Sequence, residues 1–203
     1  MDAKFITLEG IEGSGKSTAI TYIKQVLNNN NIPFIATREP GGGPNGSNIR
    51  DVLLHRDNKI TPITELLLML ADRVDHVENV INPNLNKGIW VISDRYLDST
   101  ICYQGGGRGI SQDIIMSIAS RLDLPTPDLT LLFDLSVDEA LKRVRSRGGL
   151  DRFEQESKDF HQRIRLDYQR IARENKDRIR IIDSSKEKAD VQEVVSKLIF
   201  ELV

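Results

Sequence analysis

Apolar positions along the chain fall into two alternating patterns, short continuous runs and longer stretches that repeat at helical spacing. Phe5 to Leu8 and Ile32 to Ala36 are runs of the first kind, and Thr18 to Leu27 between them places its apolar residues on one helical face, which predicts a strand, a helix and a strand. Ile63, Leu66, Leu67, Leu70, Val74, Val77 and Ile81 then recur at helical intervals. Pro62 suits a first helical turn and Pro83 stops the pattern, so one long amphipathic helix is expected between them. Ile89 to Ile92, Leu129 to Phe133 and Ile179 to Ile182 read as three further strands, the first two of the kind that a parallel sheet covers on both faces. Val191, Val194, Val195, Leu198, Ile199 and Leu202 form the apolar stripe of a last helix docked on that sheet. The expectation is one α/β domain spanning 1–203, with a five-stranded parallel sheet and helices on both faces.

Two segments break the pattern. Residues 38–48 are dense in Gly and Pro, and residues 142–152 carry five basic residues around Gly148 and Gly149. Each reads as a mobile loop or, equally, as solvated surface.

Charge and composition narrow the partners. The 28 Lys and Arg against 30 Asp and Glu leave a net charge of -2, without the basic excess that binding to a nucleic-acid backbone relies on, so no nucleic-acid partner is expected. The longest strongly apolar stretch, Leu66 to Ala71, is too short to cross a bilayer, so no membrane partner is expected either. Cys102 is the single cysteine and the first residues carry no secretory pattern, which fits a cytoplasmic protein.

Candidate chemistry begins at Gly10-Ile11-Glu12-Gly13-Ser14-Gly15-Lys16-Ser17, which satisfies the phosphate-loop pattern G-x-x-x-x-G-K-[ST] between a predicted strand and a predicted helix. Backbone N–H groups of such a loop point at phosphates, the helix offers its positive end, and Lys16 reaches the terminal phosphates of ATP. Ser17 is a candidate Mg²⁺ ligand. A second signal follows the third strand, where Asp94 stands at a carboxyl end beside the loop, a position suited to Mg²⁺, and Arg95 offers a bidentate guanidinium to a phosphate. A surface ion pair is the plain alternative for these two. Arg143, Arg147 and Arg152 form a third set, suited to neutralising charge on a migrating phosphoryl group, although Arg143 and Arg147 also fit a solvated helix face with Glu139.

With these residues in place, the chain resembles thymidylate kinase, in the bacterial form that carries its catalytic arginines in a lid. The resemblance runs end to end through Phe5 to Thr18, Thr37-Arg38-Glu39-Pro40-Gly41-Gly42, Ala71-Asp72-Arg73, Asp94-Arg95-Tyr96, Tyr103 to Gly109, and Arg147-Gly148-Gly149-Leu150-Asp151-Arg152. It implies a P-loop NTPase-type fold, a single nucleoside monophosphate kinase domain over 1–203 with a mobile basic lid near 143–153, and a homodimer. ATP would be the donor, Mg²⁺ the cofactor and dTMP the acceptor. The resemblance also implies roles: Gly10 through Thr18 hold ATP, Arg143 stacks on adenine, and Lys16, Arg95, Arg147 and Arg152 are catalytic. On the acceptor side, Glu12, Arg50 and Arg95 face the phosphate, Arg73, Thr100 and Gln104 read the base, and Tyr103 packs on the sugar. Two positions depart from the family pattern. Met69 stands where an aromatic ring usually stacks on thymine, and it also fits core filling; Gly43 stands where Thr is common. A kinase for another deoxynucleotide, such as a 5-substituted deoxyuridylate, and a P-loop switch protein remain as alternative readings of the same motifs.

Overall fold

A computed structural model describes residues 2–203, with Arg147 described in its backbone only. Five strands, β1 (Phe5–Glu9), β2 (Phe34–Arg38), β3 (Trp90–Asp94), β4 (Leu129–Asp134) and β5 (Ile179–Asp183), form one parallel sheet in the order β2-β3-β1-β4-β5. The first strand in sequence is thus the middle one in space. The crossovers carry α1 (Lys16–Asn29), α2 (Gly46–Leu54), α3 (Pro62–His76), α4 (Asn82–Leu85), α5 (Leu97–Thr100), α6 (Gln112–Ala119), α7 (Val137–Arg147) and α8 (Lys158–Glu174), and α9 (Lys188–Phe200) ends the chain.

The alternation of the strands divides the core between the two faces. Ile6, Leu8, Leu131 and Phe133 pack with Ile23 and Leu27 of α1 and Val195 and Ile199 of α9. On the opposite face Leu132 joins Leu66 and Leu70 of α3 and Ile164 and Tyr168 of α8. That second face is polar at its centre: Thr7 and Thr130 share a buried hydroxyl–hydroxyl bond of 2.7 Å across β1 and β4.

The structure differs from the sequence reading in several places. The long helix is α3 only as far as His76, after which Val77–Ile81 widens into a π-helical turn before α4. Thr61 starts α3 by accepting the Thr64 N–H, with Pro62 in the first turn. A second π-helical segment, Ile101–Gly107, follows α5 directly. The second strand begins at Phe34 rather than Ile32, because Asn31 takes a left-handed φ of 54° and Pro33 has no N–H to give to the ladder. Downstream of α7, Gly148 and Gly149 both have positive φ, and residues 151–154 close a turn in which Asp151 Oδ1 accepts from the N–H groups of Phe153 and Glu154.

Candidate active site

The carboxyl ends of β1, β2 and β3 open into a cavity of about 510 Å³, the place where open parallel sheets bind ligands. Its floor is the loop between β1 and α1. Gly10, at φ 134°, lies so close to the Phe133 carbonyl that a Cβ would stand 2.5 Å from its oxygen. Glu12, Gly13, Gly15, Lys16, Ser17 and Thr18 line the cavity, whereas Ile11 is buried in the core and the Ser14 hydroxyl is buried without a hydrogen-bond partner among the described residues. Lys16 Nζ donates to the carbonyls of Gly10 and Ile11 at 2.9 and 3.0 Å. Burial, reinforced by the nearby Arg95 charge, pushes the ammonium down to about 8.

Arg95 leaves β3 with a φ of 76°, an uncommon geometry for a residue with a Cβ. Its guanidinium donates to the Gly10 carbonyl, the Ser99 and Tyr168 hydroxyls, Glu12 Oε1 at 2.8 Å and the Tyr103 hydroxyl at 2.9 Å. Tyr103 also donates to Glu12 Oε1 at 2.7 Å. Burial favours the neutral form of Glu12, but Arg95 and Lys16 outweigh it and hold the carboxyl below its ordinary value. Behind Arg95, Glu9 accepts from the Tyr96 N–H, Ser99 and Tyr168, and burial, with Asp98 nearby, raises its carboxyl to about 7.

At the other end, Arg73 is buried, with Nε on Glu39 at 2.7 Å, one terminal nitrogen on Thr100 at 2.9 Å and the other on the Tyr96 carbonyl. His76 bonds the second oxygen of Glu39 and, through its other nitrogen, the Thr37 hydroxyl. Met69, Arg73, Thr100, Tyr103 and Gln104 all line the cavity. Arg50 lines it as well, donating to the Pro40 carbonyl at 2.7 Å. Arg143 stands at the rim and donates to the Ser184 carbonyl.

Of the two predicted catalytic lid arginines, Arg152 falls elsewhere. The Arg147 side chain lies outside the described residues. Arg152 is not a wall of the cavity: it donates to the Leu53 carbonyl and pairs with Glu65 at 2.6 Å, turned toward α2 and α3 instead of toward the phosphate loop. Buried Glu65 supplies the pull, since it offers an ionic partner that solvent does not screen. Arg38, quoted in the sequence only as part of a motif, is a cavity residue. Its signal was available, because a basic residue ending a parallel strand stands at the ligand-binding edge; in the sheet it is the register partner of Asp94. Gly43 has a local reason, as a Cβ there would stand 2.3 Å from Asp75 Oδ2.

The residues present fit Mg²⁺ bound through phosphates. Asp94 Oδ1 is buried with no hydrogen-bond partner among the described residues, and Ser17 lines the same cavity. Among the described residues no cluster of three acidic, His or Cys side chains forms a metal cage, and Mg²⁺ characteristically takes one or two protein oxygens plus phosphates and water.

A phosphate loop with a facing carboxylate, and a second polar end across one cavity, is the layout of a two-substrate kinase, and comparison identifies which. A family model described as thymidylate kinase matches residues 8–195. The chain belongs to the thymidylate kinase family. The thymidylate kinase of Carboxydothermus hydrogenoformans is 48% identical over 192 residues, covering 94% of each chain. That of Ruthia magnifica is 48% identical over 185 residues, covering 90% of each. A solved thymidylate kinase from Ehrlichia chaffeensis superposes with a TM-score of 0.75 at 30% identity, covering 100% of this chain and 98% of the other. Membership makes the chain a nucleoside monophosphate kinase, a phosphotransferase that moves the γ-phosphoryl group of ATP to dTMP with Mg²⁺, and leaves the other acceptors and the switch reading disfavoured. Among the described residues no helix is long and apolar enough to cross a membrane.

Proposed function

We propose that this cavity performs the family reaction with ATP on the phosphate-loop side and dTMP between Arg95 and Gln104. The observation that carries the reading is that Lys16, Asp94, Arg95, Arg73 and Gln104 line one continuous cavity. Gly10 through Thr18 present the donor's phosphates with N–H groups and the α1 N-terminus, and Lys16 exchanges its two carbonyl partners for phosphate oxygens. Ser17 and Asp94 would hold Mg²⁺, which when bound would supply neutralisation of phosphate charge.

On the acceptor side, Arg95 and Arg50 grip the phosphate of dTMP. Glu12 and Tyr103 fix the Arg95 guanidinium, and Tyr103, packed edge-on against Phe153 and Phe160, is a rigid wall able to crowd a ribose 2′-hydroxyl. An oxygen of the acceptor phosphate attacks the γ-phosphorus, the bond to the β,γ-bridging oxygen breaks, and its electron pair leaves on ADP. The attacking oxygen is already anionic, so the site needs no strong base. Arg143 lies on the adenine, while Arg147 and Arg152, in a lid over 143–153, close over the triphosphate; for Arg152 this requires release from Glu65. The whole of 1–203 acts as one kinase domain in a cytoplasmic setting, without nucleic acid.

A homodimer is part of the proposal. Ile63 and Leu67 on α3 and Ile114 and Met116 on α6 are large apolar side chains left exposed, and Leu67, Val74, Ile118 and Leu122 border a shallow groove between these helices.

The deciding experiment is ADP release by purified protein with Mg²⁺-ATP and a panel of dTMP, dUMP, 5-hydroxymethyl-dUMP, dCMP, dGMP and the ribose form of TMP. Preference for dTMP is the expected result. Turnover without any acceptor dependence would sink the reading.

A further inference from the structure

Glu65 is a fully buried carboxylate in the first turn of α3, outside the cavity wall. Three donors converge on it: Gln104 Nε2 at 2.8 Å, Arg108 Nε at 3.1 Å and an Arg152 terminal nitrogen at 2.6 Å. An ionised carboxylate only accepts hydrogen bonds, whereas an amide side chain can present either its oxygen or its nitrogen. The Glu65 bond removes that choice. It fixes the Gln104 nitrogen to the α3 side, and the Gln104 oxygen, which takes no hydrogen bond among the described residues, remains as an acceptor on a residue that lines the cavity.

We propose that Glu65 is a specificity-determining positioning residue: by setting the polarity of the Gln104 amide it makes the base end of the cavity select a pyrimidine with an N3–H and a 4-carbonyl over one with a bare N3 and a 4-amino group. This rests on the placement of the acceptor base beside Arg73 and Gln104 given above. The complementarity follows from donor and acceptor patterns. Arg73 can only donate, which suits a carbonyl, and the Gln104 oxygen suits the imide N–H beside it. Cytosine reverses both, meeting the guanidinium with an amino group and the amide oxygen with a lone pair, so both contacts turn repulsive. A reversed amide would erase half of this discrimination. Arg108, which donates to Glu65 without lining the cavity, acts on selectivity only through it.

The test is the ratio of kcat/KM for dTMP to that for dCMP. A protein that phosphorylates neither would overturn the placement of the base and the kinase reading together, before Glu65 is at issue. With dTMP preferred by the parent protein, Glu65→Gln is expected to lower the ratio at least about tenfold, mainly through better use of dCMP. A cooperatively melting Glu65→Gln protein with an unchanged ratio would overturn the inference. Should that variant not fold, Gln104→Leu leaves Glu65 with both guanidiniums and is expected to lose the same selectivity; an unchanged ratio there has the same overturning force. Arg108→Met separates polarity from packing: a lower Tm with the ratio retained is expected, and a ratio lost as fully as in Glu65→Gln would mean that general packing, not amide orientation, controls selectivity.

Discussion

Lys16 is a cation held in a place that disfavours its charge. Burial and Arg95 lower its ammonium to about 8, while Asp94, Glu12 and Glu9 pull the other way. A triphosphate on the loop reverses the balance, because anionic oxygens near the ammonium favour the protonated form. Between pH 8 and 9.5 the free protein holds much of its Lys16 neutral, so nucleotide binding there takes up a proton, increasingly so as pH rises. Calorimetric titration in buffers of different ionisation enthalpy reads this directly, and Lys16→Arg, which stays charged, abolishes the uptake. At the base end, Met69 offers polarizable but weakly oriented contact. Met69→Phe is expected to lower the KM for dTMP, by an amount set by base–aromatic stacking of about 1 to 3 kcal/mol at most, with kcat little changed; steady-state kinetics decides. A place in the cavity was legible in the sequence where a motif fixed it, as at Lys16, Asp94 and Arg95, whereas Arg73 was reached only through the family resemblance. It was not legible where a side chain had to choose between partners. Arg152 reads as a lid arginine, yet its guanidinium lies on Glu65, and nothing in the spacing of residues 65 and 152 announces that pair.

The elements reward a different reading. The phosphate loop was plain in sequence because it is local: its residues need only one another, a strand before and a helix after. What sequence could not give is how the loop leans on distant elements. Gly13, at φ 76°, sits against α7 so closely that a Cβ would stand 2.4 Å from the Ala140 carbonyl oxygen. Gly13→Ala therefore strains the backbone by about 1 to 2 kcal/mol and pushes α7 from the loop; a lower Tm and weakened ATP binding are expected, by thermal unfolding with and without nucleotide. The two π-helical turns escaped periodicity for a related reason. Val77 and Ile81 keep the apolar spacing of α3 and are buried with Phe5, Val91 and Tyr96, so the pattern of burial continues while the hydrogen bonding changes beneath it. Ile101–Gly107 carries Tyr103 and Gln104 into the cavity, which fits the tendency of such turns to occur at functional sites.

For the whole molecule, the sheet and its two helical layers followed from the alternation of apolar runs and stripes, since strands buried on both faces need helices on each side. Strand order did not, because the apolar runs of β3 and β4 look alike to β1. Self-association is the expectation that belongs to this scale. Leu67 is 52% exposed on α3, and Leu67→Glu is expected to convert a dimer into a monomer on size-exclusion chromatography with light scattering, while a parent protein already monomeric at high concentration would remove the dimer from the proposal.

The central place of β1 has a further consequence during synthesis. Its two neighbours, β3 and β4, pair with it across separations of more than eighty and more than one hundred and twenty residues, and the Phe133 carbonyl that abuts Gly10 comes at the end of the later one. The nucleotide cradle is encoded in the first eighteen residues but lacks a wall until β4 has left the ribosome. At about 5 to 20 residues per second that leaves the loop without its site for many seconds, a window in which chaperones and proteases meet an open edge. A nascent chain stalled with only residues 1–110 exposed is expected to show no retention on immobilised ATP and rapid cleavage by added protease. One stalled with the full chain exposed is expected to bind ATP and resist cleavage.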